Sequence, residues 1–303
     1  MRIGIFGGEV AGHGGIDEVV ESARAASDDG FASYWMPQIF GPDALTSLAV
    51  VGREVPDIEL GTAVIPTYPR HPMVLAAQAL TTQAISGGRL TLGIGLSHQL
   101  VIEGMFGHSF EKPVRHMREY LSILMPLIHE GTVSFRGETV SANGTLNIAG
   151  ATPCPVLIAA LGPQMLELAG TAADGTITWM TGPGTLASHT VPAITTAADR
   201  AGRPSPRVCV GLPVCVTDDP DGARERARRV FAVYDSLPSY KAMLDREGVT
   251  GPADVAIIGD EATVVAAVRR LAESGATEFA AVEYGSVSKG ERERTRDLLR
   301  SLL

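Results

Sequence analysis

Basic charge is scarce in this sequence. Its 25 lysines and arginines stand against 34 aspartates and glutamates, for a net charge of −9. A nucleic acid or an anionic membrane needs a basic face, so neither is expected as a partner. Lysine itself is nearly absent, represented by Lys112, Lys241 and Lys289. Arginine and alanine dominate instead, a mark of GC-rich coding before it is one of function. Cysteine is limited to Cys154, Cys209 and Cys215, with no CxxC pair and no Cys/His cluster of zinc spacing. Buried, reduced thiols in a cytoplasmic protein are the expectation, and no metal site. No apolar run approaches the roughly 20 residues of a membrane span. The N-terminus, MRIGIFGGEVAG, lacks both a basic segment and a long apolar core, so it reads as a first strand and not as a signal peptide.

What the chain has is alternation. Short apolar runs at residues 2–6, 33–36, 58–65, 89–94, 156–160, 175–179, 208–216 and 278–283 read as strands. Between them lie stretches with apolar residues at helical spacing, as in 16–29, which Gly30 stops, and 43–51, where Asp43 suits an N-cap. Strands alternating with helices demand a parallel sheet with helical crossovers. Eight units in 303 residues, with no linker-like break, favour an α/β fold of the closed (β/α)8 TIM-barrel type over an open doubly wound sheet. The whole of 1–303 reads as one domain. Residues 97–152 read as an insertion after strand four, of about 50 residues, and excursions of that size at a barrel mouth are usually functional.

Local motifs narrow the chemistry. Gly93-Ile94-Gly95 follows a strand, but the third glycine of a dinucleotide fingerprint would fall at His98, so that reading is rejected. The same glycines suit either close approach of a flat ligand or a tight turn. In Ala159-Ala160-Leu161-Gly162-Pro163-Gln164-Met165 a strand runs into Gly-Pro and directly into a helix. Proline suits the first helical position, and the amides of Gln164 and Met165 would be free to meet an anion such as a cofactor phosphate; the alternative is an ordinary strand–helix turn. Of the seven histidines, none pairs with another at metal or catalytic spacing. His98 stands out because it lies just past strand four, and His13, after strand one, is a weaker candidate. Trp35 reads as core, whereas Trp179 reads equally as core or pocket wall. No GxSxG, P-loop or HExxH signature is present.

Taken together, several segments carry more than any one of them. They are Asp29-Gly30-Phe31 through Tyr34-Trp35, residues 59–66 (ELGTAVIP), Arg70-His71-Pro72, residues 87–95 (GGRLTLGIG), Arg115 with Glu119, residues 155–163, Ala169-Gly170 with Ala173-Asp174-Gly175, and residues 259–275. In this order, spanning nearly the whole chain, they resemble the luciferase-like monooxygenase family, and within it the branch using coenzyme F420, a 5-deazaflavin, in place of FMN. The resemblance implies a bulge at Ala63-Val64 with a cis peptide backing the flavin ring. It implies a strand-four loop, Gly95-Leu96-Ser97-His98, beside the ring, and a phosphate segment of Ala160, Leu161, Gly162, Pro163 and Gln164. Sugar-phosphate dehydrogenases of the branch carry an Asp-His pair after strand two, where this chain has Gln38 and Ile39, and a glutamate after strand four, where it has His98. Ile39 moves no proton, so a sugar phosphate is not the implied substrate. The expectation is an F420-dependent oxidoreductase acting on a small, rather apolar molecule, with Gln38 on the ring edge, His98 handling a proton and a homodimer as the assembly. The alternatives are an FMNH2-dependent monooxygenase fed by a separate reductase, and a catalytically silent flavin-binding protein.

Overall fold

Eight parallel strands close on themselves in this computed structural model, which describes residues 1–8, 15–286 and 289–303. The strands are β1 (Arg2–Phe6), β2 (Ser33–Met36), β3 (Glu59–Thr62), β4 (Leu90–Gly95), β5 (Val156–Ile158), β6 (Gly175–Trp179), β7 (Arg207–Val216) and β8 (Glu278–Glu283). Each pairs in parallel with the next, and β8 returns to β1, so the barrel has no open edge among these strands. Closure satisfies every strand's ladder, which an open sheet leaves unpaired at its margins. Helices α1 (Ile16–Asp28), α2 (Ala44–Glu54), α3 (Pro72–Ile85), α4 (Pro113–His129), α5 (Pro163–Ala172), α6 (Val191–Arg200), α7 (Glu261–Glu273) and α8 (Glu291–Arg300) are among those between and after the strands. Asp43 caps α2 by accepting from the Thr46 amide at 2.9 Å, and α3, α4 and α5 each open on a proline.

The stretch between β4 and β5 does not form one insertion at the mouth. Only its first part, with the short helix Gln99–Gly104, follows directly from the strand end. Pro113–His129 packs on α3 as an ordinary ring helix, burying Met117, Tyr120, Leu121 and Leu124. The hairpin of Thr132–Arg136 and Ser141–Thr145 then climbs the outside of the ring. Its turn is held by Glu119, whose carboxylate accepts from the amides of Glu138 and Thr139 at 3.1 and 2.7 Å. Glycine, threonine and asparagine in this stretch are thus turn and edge chemistry. Sequence patterning also passes over Pro252–Val255 and the short strand Ile257–Gly259, which pairs with the overlong end of β7.

Two apolar layers result. Phe6, Trp35, Leu157, Ile177, Cys209, Ala280 and Val282 fill the barrel interior, and a larger cluster packs strands against helices. Trp35 is fully buried, and Gly61 exists to admit it: a Cβ there would stand 2.2 Å from the indole ring. Below Trp35 lies a charged layer. Arg207 donates to Glu59 at 2.9 Å and to Glu278 at 2.8 Å, while the Trp35 indole N–H donates to Glu278 at 2.9 Å. Burial alone would raise the Glu59 carboxyl, but Arg207, Thr91 and Arg2 hold it below the usual carboxylate range.

Breaking a buried ion pair by removing one partner typically costs about 3–5 kcal/mol. Arg207 is a quarter exposed and Glu278 is not, so Arg207→Met is expected to cost about 3 kcal/mol, the low end of that range, in urea-induced unfolding. Adding Glu278→Gln should recover part of the loss, because it removes the stranded charge. A single-variant loss under about 1 kcal/mol would show that the layer is not a structural ion pair.

Candidate active site at the barrel mouth

The C-terminal ends of the strands converge on an apolar floor. Ala63, Val64, Trp179 and Tyr284 are partly exposed and rest on the interior cluster. Between β3 and the two-residue strand Ile65–Pro66 the backbone breaks step, and the Ala63–Val64 peptide is cis. The glycines of β4 serve this bulge. A Cβ at Gly93 would lie 2.0 Å from the Thr62 carbonyl oxygen, and one at Gly95 would lie 2.6 Å from Val64 Cγ2. Gly93-Ile94-Gly95 is therefore neither a tight turn nor a phosphate loop. It is the clearance that lets Val64 sit at the floor.

Beyond β4, Leu96 and Ser97 lead to His98, with Ser97 in the left-handed region at φ 61°. Non-glycine residues there are uncommon and cluster at functional sites. His98 precedes Gln99–Gly104 without capping it through its side chain. Its half-buried ring lies 5.6 Å from that of Tyr240, and its imidazole makes no hydrogen bond within the described residues. Burial lowers its pKa below the usual histidine value. His13, the weaker candidate, lies outside the described residues.

After β5, Ala160 is buried, Leu161 and Gly162 are half-buried, and Pro163 and Gln164 are exposed. A Cβ on Gly162 would meet nothing within 4 Å, so the space before α5 is open. One expectation is corrected here. The Met165 amide is not free: it donates to the Gly162 carbonyl at 3.1 Å, as a tightened first turn does. Of the two amides expected to meet an anion, that of Gln164 remains. The segment is pinned by His189, whose Nε2 donates to the Leu161 carbonyl at 2.9 Å from a π-helical turn, Leu186–Thr190. Nothing in the spacing of the histidines signals that role.

Gln38 is engaged through its oxygen. Its Oε1 accepts from the Ala44 amide at 2.8 Å and lies 3.4 Å from Arg70 Nη2, and Arg70 in turn bridges to Asp43. The amide oxygen thus supports the start of α2, leaving the side-chain nitrogen for a ligand. On the same side His116 donates to or accepts from Thr67 at 3.1 Å and stacks on Tyr68, with centroids 4.0 Å apart. Phe110 lies 5.1 Å beyond, which ties the loop after β4 to the loop after the bulge.

The opposite side is aromatic, and sequence patterning missed it. Trp179 meets Phe6, Phe231 and Tyr234 edge-on at 5.6, 6.1 and 5.8 Å. Tyr234 meets Tyr240 at 5.1 Å, and Phe231 meets Tyr284 at 5.7 Å. The charged helix Pro220–Val230 ends before these rings begin, and a 3-10 turn, Ala232–Ser236, carries Tyr234 inward. A period of 3.6 residues does not continue across that turn, so the pattern carries no signal there.

Comparison with known proteins accords with this geometry. A sequence profile described as luciferase-like monooxygenase matches residues 1–278. A 5,10-methylenetetrahydromethanopterin reductase of Methanolobus tindarius is 28% identical over 256 residues, 84% of this chain and 78% of that protein. A Mycobacterium tuberculosis protein bearing the name of a coenzyme F420-dependent oxidoreductase is 30% identical over 278 residues, 86% of this chain and 78% of that one. The coenzyme F420-dependent tetrahydromethanopterin reductase of Methanopyrus kandleri superposes with a TM-score of 0.82 at 22% identity, over 99% of this chain and 97% of that one. That likeness establishes the barrel fold.

Burial separates two histidines at this mouth in a measurable way. It pushes His116 down to about 4, against a weaker opposing pull from Glu119. A histidine whose folded pKa is depressed contributes stability that is complete above its unfolded value, near 6.5, and is lost as pH falls toward 4. NMR titration of the imidazoles should find His116 neutral down to about pH 4 and His98 titrating below the ordinary value. In His116→Phe the loss of stability between pH 6.5 and 4 should shrink. An unshifted His116, or the same acid sensitivity in the variant, would overturn the assignment.

Proposed function

Since the chain belongs to the luciferase-like monooxygenase family, we propose that it is a coenzyme F420-dependent oxidoreductase transferring a hydride to or from a small organic substrate at the barrel mouth. The observation that carries this reading is the floor of Ala63 and Val64, apolar and partly exposed, with His98 after the neighbouring β4 and the open start of α5 after β5, the next strand round. Such a floor suits a flat ring, and the open Gly162 suits a phosphate. The named relatives work with the same coenzyme or on a pterin, which supports the cofactor choice. When bound, a deazaflavin supplies two-electron hydride chemistry with little reactivity toward oxygen, since carbon replaces the flavin N5.

The residues divide the work. Ala63 and Val64 support the ring face, and Gly95, Leu96, Ser97 and His98 border it. Ala160, Leu161, Gly162, Pro163 and Gln164 hold the phosphate, with the Gln164 amide as donor and His189 keeping Leu161 in place. Gln38 offers its side-chain nitrogen to the ring edge. His98 accepts a proton: burial keeps its imidazole neutral, and a neutral imidazole is a base. In the oxidative direction the hydroxyl proton of a substrate alcohol would pass to His98 while its carbon gives the hydride to the bound deazaflavin; in reduction the protonated imidazole would return it, so charge and atoms balance either way. The three cysteines are buried and unpaired, which fits a reducing cytoplasm.

The cofactor is tested by equilibrium binding of F420 and FMN side by side. F420 should bind at least tenfold more tightly, a difference of about 1.4 kcal/mol. Gly162→Asp should fold normally, since its side chain meets open space, yet weaken F420 sharply by placing a carboxylate at the phosphate amides. Equal or tighter FMN binding would turn the assignment toward an FMNH2-dependent monooxygenase.

His98 is tested separately. His98→Ala should retain cofactor affinity and lose roughly 10²–10⁴ in turnover, together with one ionisation in the pH–rate profile. Lower stability with an unchanged rate per folded molecule would leave His98 as packing against Tyr240 only.

A further inference from the structure

Apart from His98, the aromatic side of the mouth has no part in the chemistry above. Trp179, Tyr234 and Tyr240 stand edge to face in succession, and His98 ends the row. The rings come from the end of β6, the turn Ala232–Ser236 and the helix Pro238–Glu247. That helix is fastened at its far end. Glu247 accepts from the amides of Gly184 and Thr185 at 3.0 and 2.6 Å, in the short turn Pro183–Thr185 that follows Trp179. Thr185 Oγ1 adds a bond to the Met243 carbonyl at 3.4 Å. The carboxylate thereby sets the distance between the element carrying Tyr240 and the loop carrying Trp179.

The row is also free of fixed charge. It contains no lysine or arginine, burial pushes the Tyr234 and Tyr240 hydroxyls up, and burial pushes His98 down, so all four side chains are neutral near pH 7. Close to its members in sequence, Leu100, Met105, Val230 and Val233 are exposed and apolar. An anionic substrate would lose its water here and gain no cation in return. A planar π system would gain edge and face contacts with several rings at once.

We propose that Trp179, Tyr234, Tyr240 and His98 form the substrate wall, that it selects an uncharged aromatic or conjugated molecule, and that Glu247 is its positioning residue. The inference rests on the oxidoreductase reading for the reaction, but the wall exists without cofactor, so its preference is measurable on its own.

The test is calorimetric binding of acetophenone and cyclohexyl methyl ketone, which match in heavy atoms and differ in the ring, with and without saturating F420. Glucose 6-phosphate is the charged comparison. Acetophenone should bind at least fivefold more tightly than its saturated partner, and glucose 6-phosphate more weakly than either. Tyr240→Leu should bring the preference below twofold with F420 affinity unchanged. Glu247→Gln, which replaces one acceptor oxygen by a donor, should also reduce the preference at unchanged F420 affinity; a lower unfolding midpoint with the preference intact would make Glu247 structural only and overturn its role. Equal binding of the two ketones to the native protein, or tighter binding of glucose 6-phosphate, would overturn the wall. If acetophenone is preferred but F420 does not bind, the cofactor reading falls and the wall stands; if F420 binds without any such preference, the reverse holds.

Discussion

The Arg207 guanidinium reaches across the lower end of the barrel to carboxylates on β3 and β8, strands that are not neighbours. A parallel barrel's ladders fix each strand against the next, but they say little about the diameter across the interior. A charge held between Glu59 and Glu278 does, because neither carboxylate tolerates losing its partner away from water. Trp35 stands on this layer through its bond to Glu278, and Gly61 leaves it room. Trp35, Phe6, Leu157, Ile177, Cys209, Ala280 and Val282 form the interior on which Ala63, Val64, Trp179 and Tyr284 rest. The level of the mouth's floor is thus set from below, by a charged layer far from any chemistry.

Above the floor the two sides of the mouth are built differently. On the β2–β4 side polar groups engage one another: Gln38 with Ala44 and Arg70, Arg70 with Asp43, His116 with Thr67, and Tyr120 with the Arg70 carbonyl at 2.9 Å. Groups so engaged are poorly placed to trade partners during a reaction, since each exchange exposes a buried donor or acceptor. On the β6–β8 side the side chains are rings. His98 sits where the two meet, with its imidazole making no hydrogen bond among the described residues and its ring against Tyr240. A proton acceptor in that place faces apolar neighbours on one hand and a rigid polar frame on the other.

How much of this was legible in the sequence depended on whether the signal was local. Strand and helix positions follow from apolar periodicity, and Asp43 and Pro163 mark helix starts by chemistry that acts within a few residues. The small-residue run into Pro163 pointed to an open helix start for the same reason. Its free amides were overcounted, because the first turn tightens and takes Met165, a choice of backbone geometry that side-chain identity does not report. Gly, Thr and Asn announce the turns of the hairpin, whereas its position depends on Glu119 and His71, distant in sequence. Nothing near Gln38 in sequence reveals that Arg70 and Ala44 converge on its oxygen. The aromatic wall was invisible as a unit, for Trp179 and Tyr240 meet only through tertiary closure.

The same distinction separates the two positions at which a base could stand, the end of β2 and the end of β4. The position after β2, where Ile39 stands, is 41% exposed, and Gln38 beside it is committed to the α2 start, so proton chemistry there would need a rebuilt frame. The end of β4 carries no such commitment. Ser97 takes the left-handed turn, His98 follows without a capping duty, and burial by the opposing helix Pro238–Glu247 tunes it toward the neutral form. What tunes the base is therefore the same element that carries Tyr240, and Glu247 holds that element in register with β6. In this arrangement basicity at His98 and the shape of the aromatic side are not independent variables: any shift of Pro238–Glu247 that widens the wall also returns water to the imidazole and raises its pKa.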